Sequence, residues 1–207
     1  YVFPEAPYQS FGFQSAYSNH KQEAYYGFRQ YDINHESFYA NLLFNSIIGN
    51  TKNKFKAGIN FSYDQYIEAV DTFNFNRADN SAGAFFEYSY DNLENFSLVS
   101  GVRFDTHNRL GNFITPRVHI RYLPKENIII RASVGNGRKA ANIFAENQTL
   151  FGTNRIISIT QNGGDIYGLN PEKAWNYGVS IRKIFSLWGG NGDITADYYV
   201  TDFTDQV

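Results

Sequence analysis

The chain has four histidines, His20, His35, His107 and His119, and these are the side chains best suited to moving a proton near neutral pH. A hydrolase built on one of them needs an Asp or Ser that converges on the imidazole. Asp32 near His35 and Asp105 near His107 are the near pairs. Such neighbours arise readily by chance in polar stretches, so no catalytic group is assigned and the chain is not read as an enzyme. His20, Asp32 and His35 lack the tight spacing of metal ligands, and without cysteine no thiolate site can form. No metal and no cofactor are expected.

A second chemistry is the gripping of a ligand by rings and guanidiniums. Three polar stretches combine them: Tyr25, Tyr26, Phe28, Arg29 and Tyr31; then Phe73, Phe75 and Arg77; then Arg138, Phe144, Phe151 and Arg155. Exposed together on loops, these residues make a substrate-binding surface, and loops packed against one another would use the same side chains. A third set, Arg103, Arg117, Arg121, Arg131 and Arg182, recurs at polar positions of successive segments. A water-filled interior needs charge of this kind, and so does a wall that docks an acidic surface. Residues 135–137 (GNG) are a turn signal with no phosphate-binding pattern around them.

The elements that must position these residues are strands. The 207 residues include 16 Tyr, 19 Phe and 2 Trp among 17 Gly and 23 Asn, yet the mean hydropathy is −0.43. Rings interleaved with Asn, Ser and Gly suit strands with one apolar and one polar face. In residues 54–64, Phe55, Ala57, Ile59, Phe61 and Tyr63 alternate with Lys56, Gly58, Asn60, Ser62 and Asp64, the period of a half-buried strand. The same alternation marks 81–90, 96–105, 117–123, 175–185 and 194–201, and more weakly 10–18, 38–48 and 128–135. About nine strands are predicted, and no helix. No apolar run approaches the ~20 residues of a spanning helix. The net charge of −2, with both signs mixed along the chain, gives no nucleic-acid footprint.

The links alternate in length. Short turns at 49–53, 91–95, 124–127 and 186–192 are separated by long polar links at 19–36, 68–80, 106–116 and 136–173. That is an antiparallel up-and-down meander with its tight turns at one end, the pattern of a membrane barrel. Rings near strand ends support two membrane interfaces: Phe55, Tyr88, Tyr90, Phe96, Tyr122 and Phe185 by the short turns, and Tyr17, Phe38, Tyr63, Tyr66, Phe104 and Trp175 by the long links. A soluble β-sandwich also alternates, but its core is mainly aliphatic and its links are Greek-key. In a barrel the five arginines must point inward, because a charge facing lipid at mid-depth costs ~2–4 kcal/mol.

Three segments resemble the barrel of TonB-dependent outer-membrane receptors, in phrasing nearest to those of Bacteroides-like bacteria. They are 114–121 (ITPRVHIR), 130–147 (IRASVGNGRKAANIFAEN) and 169–182 (LNPEKAWNYGVSIR). Residues 139–142 (KAAN) depart from the Arg-Ala-Pro pattern common at that loop, so no role is carried over there. The resemblance implies an all-β fold in which residues 1–207 are an internal fragment of the wall of a transmembrane β-barrel of about 22 strands. It further implies partners: a plug domain inside the barrel, the missing strands, outer-membrane lipid, and the TonB protein that relays energy. The implied activity is import of a scarce nutrient from outside a Gram-negative cell, a siderophore, cobalamin, glycan or peptide. The five inward arginines would then face the plug, and the ring and arginine clusters would meet an extracellular small-molecule or glycan ligand. The alternatives are a passive outer-membrane porin or other barrel, and a soluble all-β carbohydrate-binding or adhesin domain.

Overall fold

A computed structural model describes residues 1–153, 167 and 169–205. Nine long strands and two short ones form one sheet: β1 (Val2–Phe3), β2 (Ala6–Tyr26), β3 (Arg29–Ile48), β4 (Asn50–Val70), β5 (Phe73–Asn74), β6 (Arg77–Asp91), β7 (Phe96–His107), β8 (Gly111–Lys125), β9 (Ile128–Lys139), β10 (Glu172–Leu187) and β11 (Gly190–Asp205). Every pairing is antiparallel and each long strand lies beside its sequence neighbours, while β5 pairs with the end of β4. The predicted meander is therefore present, and each of the nine predicted segments lies within one long strand.

Register fixes the faces, since paired residues point the same way and parity does the rest. Leu42, Ile59, Ala84, Phe104 and Ile114 stand in one row across β3, β4, β6, β7 and β8. Phe86, Val102, Ile120, Ile130 and Val179 share that face by alternation and by the pairs Ile120↔Ala132 and Ala132↔Val179. Ile59, Ile194 and Tyr198 are 59, 65 and 71 % exposed, so this apolar face is unpartnered and suited to lipid. The opposite, inner face carries Asn60, Glu87 and all five arginines predicted to point inward. One aromatic departs from expectation: Tyr66 has inward parity and stacks on His35 at 4.2 Å, so it is no part of an interfacial girdle.

Three of the predicted long links are mostly strand. β2, β3 and β4 run for 21, 20 and 21 residues, and the connection between β2 and β3 is only Gly27 and Phe28. At ~3.3 Å per residue such strands reach roughly 65–70 Å, far more than a tilted strand needs to cross an apolar band ~25 Å tall. Their outer halves would stand clear of such a band. Polar side chains on both faces end the alternation over part of that length, and 19–23 and 34–36 read as polar loop although the ladder continues through them. Gly27 supplies the left-handed turn conformation at φ 69°.

The link between β9 and β10 is long, and it folds back. Its described part holds a one-turn helix, α1 (Ile143–Glu146), and a 3₁₀ turn at Gln148–Gly152, where no helix was expected. Both are short because their role is to seat two rings. Phe144 and Phe151 enter a hydrophobic cluster with Tyr31, Ile33, Val70 and Phe75 of the inner wall, joined by Ala141 and Tyr167. This cap over the wide end is where the chain is most deeply buried.

Candidate functional site

The cap sits on the upward extensions of β3, β4 and β6, whose inward residues include the rings Tyr31 and Tyr66 and the charges Glu68, Arg77 and Asp79. Phe75 lies 4.8 Å from Phe144, Tyr31 lies 5.4 Å from Phe151, and Tyr167 meets Phe144 edge-on at 5.3 Å. Beneath the rings Glu68 is wholly buried. Its Oε2 accepts from Arg77 Nη1 at 2.6 Å and from the Tyr167 hydroxyl at 2.5 Å, and its Oε1 accepts from the Tyr31 hydroxyl at 2.9 Å. Arg77 also donates to the Tyr167 oxygen at 2.8 Å and to Asn142 Oδ1 at 2.5 Å, with its guanidinium 3.9 Å above the Tyr66 ring. Burial first, and the Glu68 charge second, push the Tyr31 and Tyr167 phenols well above their usual range. One carboxylate, one guanidinium and two neutral phenols thus tie β3, β4 and β6 to the returning link.

Around this hub several further charges are paired. Asp79 lies 2.6 Å from Arg109 and 3.8 Å from Arg77. His35 bonds Asp64 at 3.0 Å, so its partner is not Asp32. His20 faces His35 across β2 and β3, and Asp32 instead accepts from Gln30. His107 uses Nδ1 to accept the backbone N–H groups of Arg109 and Leu110 at 3.1 and 3.2 Å, which caps the turn after β7. Burial lowers its pKa. Asp105, the sequence neighbour of His107, is held by Arg103 at 2.7 and 2.8 Å. Neither His/Asp pair of the sequence forms, and no metal-ligating group of three exists among the described residues.

The ring and arginine clusters divide in two. Tyr31, Phe75, Arg77, Phe144 and Phe151 are spent on the cap, and Tyr26 joins them through its bond to Gln148 at 2.7 Å and its ring 5.5 Å from Phe151. Tyr25, Phe28 and Phe73 remain outside, 70, 109 and 54 % exposed. Arg29 lies 3.9 Å from Asp71 at the mouth of a cavity of about 470 Å³ walled by Tyr26, Phe28 and Phe151. Arg138 lies 5.1 Å over the Phe113 ring, at a cavity of about 420 Å³ that also touches Arg103 and His107. Arg155 lies outside the described residues. Sequence reasoning missed Glu68, Asp79, Arg109, Asn142 and Tyr167. Glu68 did leave a signal, a lone carboxylate in the apolar run Ile67–Val70.

Below the cap the inner wall is a ladder of ion pairs. Arg117 meets Glu87 at 2.5 Å, Arg103 meets Asp105 at 2.7 Å, and Arg182 meets Asp193 at 3.0 Å. Arg121 and Arg131 face each other across β8 and β9.

Residues 3–207 match the family model described as TonB dependent receptor-like, beta-barrel. Among solved structures, the siderophore receptor PirA from Pseudomonas aeruginosa superposes with a TM-score of 0.63 at 14 % identity, covering 94 % of this chain and 40 % of that one. The ferric enterobactin receptor PfeA from the same organism gives 0.60 at 14 %, covering 96 % and 35 %. The alcaligin outer-membrane receptor FauA from Bordetella pertussis gives 0.54 at 14 %, covering 93 % and 34 %. The chain spans a little over a third of the length of these receptors, and at such identity the likeness is one of fold. No curated protein matches the sequence itself.

Proposed function

We propose a transport role for this chain, which belongs to the TonB-dependent receptor β-barrel family. It forms part of the wall of an outer-membrane receptor in a Gram-negative bacterium. That receptor binds a scarce nutrient at its outer face and imports it with energy relayed by TonB, while the plug and the remaining strands come from the rest of the protein. The observation that carries this reading is the sheet's division into an exposed apolar face and a charged inner face. Lipid outside and water or protein inside is the environment in which both faces are stable. No part of the proposed function is enzymatic.

In this reading Tyr25, Phe28 and Phe73, which are exposed, and Arg29 and Arg138, which line two cavities, contact the ligand. The matched structures include receptors for siderophores, and a siderophore is one of the four nutrient classes to be tested for this chain.

The test uses cells carrying the full-length protein, offered labelled ferric siderophore, cobalamin, oligosaccharide and peptide in turn, with and without a protonophore. One label should accumulate only in energised cells, while its surface binding survives de-energisation. Uptake that continues in de-energised cells and rises linearly with concentration would mean a passive pore. Recovery of the protein in the soluble fraction would defeat both membrane readings.

A further inference from the structure

Among the described residues, three of the five inward arginines have a carboxylate partner and two have none. Arg103, Arg117 and Arg182 are paired with Asp105, Glu87 and Asp193. Arg121 and Arg131 are exposed, directly opposite one another in register, and make no ion pair among the described residues. Like charges set directly opposite in a sheet repel, and the register gives them no way apart. The row that holds them runs Ser97, Arg121, Arg131, Ser180 across β7, β8, β9 and β10. Asp197 follows on β11 beyond Ser180, and it pairs with neither arginine. His119 and Ser133 stand one step toward the loop end, and the Tyr199 ring lies against Gly178 where a side chain would otherwise be. Together these groups wall a cavity of about 220 Å³ open to the interior.

We propose that this pocket is an oxyanion site for a carboxylate or phosphate group. Two guanidinium forks can each present parallel N–H donors to one anionic group, and hydroxyls on either side supply further donors. An anion between the arginines turns their repulsion into attraction. The anion comes either from an acidic side chain elsewhere in the full-length protein, seated in the interior, or from solution. The site goes beyond the transport reading and stands whether or not the protein imports anything.

The sign of one substitution decides the matter. The full-length protein in detergent is unfolded thermally as wild type, R121Q/R131Q and R121K/R131K, in inorganic phosphate or in chloride of equal ionic strength. If a protein carboxylate occupies the site, R121Q/R131Q lowers the midpoint by about 2–4 °C, R121K/R131K keeps part of it, and phosphate does nothing. If a solution anion occupies it, phosphate raises the wild-type midpoint with concentration and leaves R121Q/R131Q unmoved. If phosphate matches chloride and R121Q/R131Q melts at or above wild type, the arginines were a bare repelling pair and the proposal is overturned. It is also overturned if phosphate is inert and the Lys and Gln variants fall equally, since lost packing of the arginine stems then accounts for the change.

Discussion

Replacing Arg77 by Met should undock the cap while leaving the barrel wall assembled. The side chains of Glu68 and Arg77 are 0 and 6 % exposed, so solvent screens their interaction little. Arg77→Met keeps most of the volume but leaves the Glu68 carboxylate with only the two phenols as donors. Removing one partner of a buried pair costs ~3–5 kcal/mol. The Tyr31 and Tyr167 hydroxyls still donate to the stranded carboxylate, which favours the lower end, about 3 kcal/mol. The loss falls on the docking of the link, because the β4–β6 ladder makes its hydrogen bonds through the backbone. At ~1.4 kcal/mol per factor of ten, amides of residues 141–147 should exchange about a hundredfold faster in the full-length protein. The double variant Glu68→Gln/Arg77→Met has no buried charge to strand and should recover at least half of the lost protection. Unchanged exchange in the single variant, or a double variant that exchanges faster still, would refute the argument.

A cysteine probe at position 59 should be quenched by nitroxide lipid and one at position 60 should not, since Ile59 is 59 % and Asn60 6 % exposed; the reverse result would shift the whole register. Gly58→Ala would set a Cβ 2.5 Å from the Leu42 carbonyl oxygen and 2.7 Å from the Phe85 ring, a cost of about 1–3 kcal/mol. It should lower the temperature at which the folded barrel loses its compact gel mobility, whereas Gly137→Ala, with open space at its Cβ, should not. Burial holds the His107 pKa below its ordinary 6.5, so as pH falls through 6.5 the unfolded turn takes up the proton first and the 108–110 turn loses protection until the folded imidazole also protonates. Amide exchange of Arg109 and Leu110, corrected for intrinsic rates, should show this loss, and an equal loss in His107→Gln would exclude the imidazole as its cause.

The strands were legible in the sequence where the environment differs between the two faces, and illegible where it does not. Residues 54–64 must present Ile59 and Phe61 to one medium and Asn60 and Ser62 to another, so the pattern is written in side chains. Residues 19–23 and 34–37 pair just as closely, but polar side chains line both faces there, so the ladder leaves no alternation to read. The site was half legible for a related reason. Rings and arginines in polar stretches do mark the wide end, and Phe75, Arg77, Phe144 and Phe151 do converge there. Phe75, Arg77 and Phe144 share Tyr167 as a partner, and it lies 99 positions from Glu68 and 90 from Arg77. No local spacing announces such a contact. It is set by how β3, β4 and β6 lie beside one another in the sheet.

The convergence narrows the proposed ligand surface. A guanidinium that already has a carboxylate, a phenol and an amide oxygen, and lies over a ring, has few donors left to offer a ligand. Exposing it would also bare Glu68, with the penalty worked above. The wide end is therefore divided between residues that fix the returning link and residues that stay free of it. Arg138, at the wall of its own cavity and outside the hub, can meet an anionic group without breaking a buried bond, and Phe28 and Phe73 can close on an apolar one. Substituting the free set should alter ligand binding with the cap intact. Substituting Arg77 should alter both together, and measuring the two effects side by side separates a contact from the scaffold that holds it.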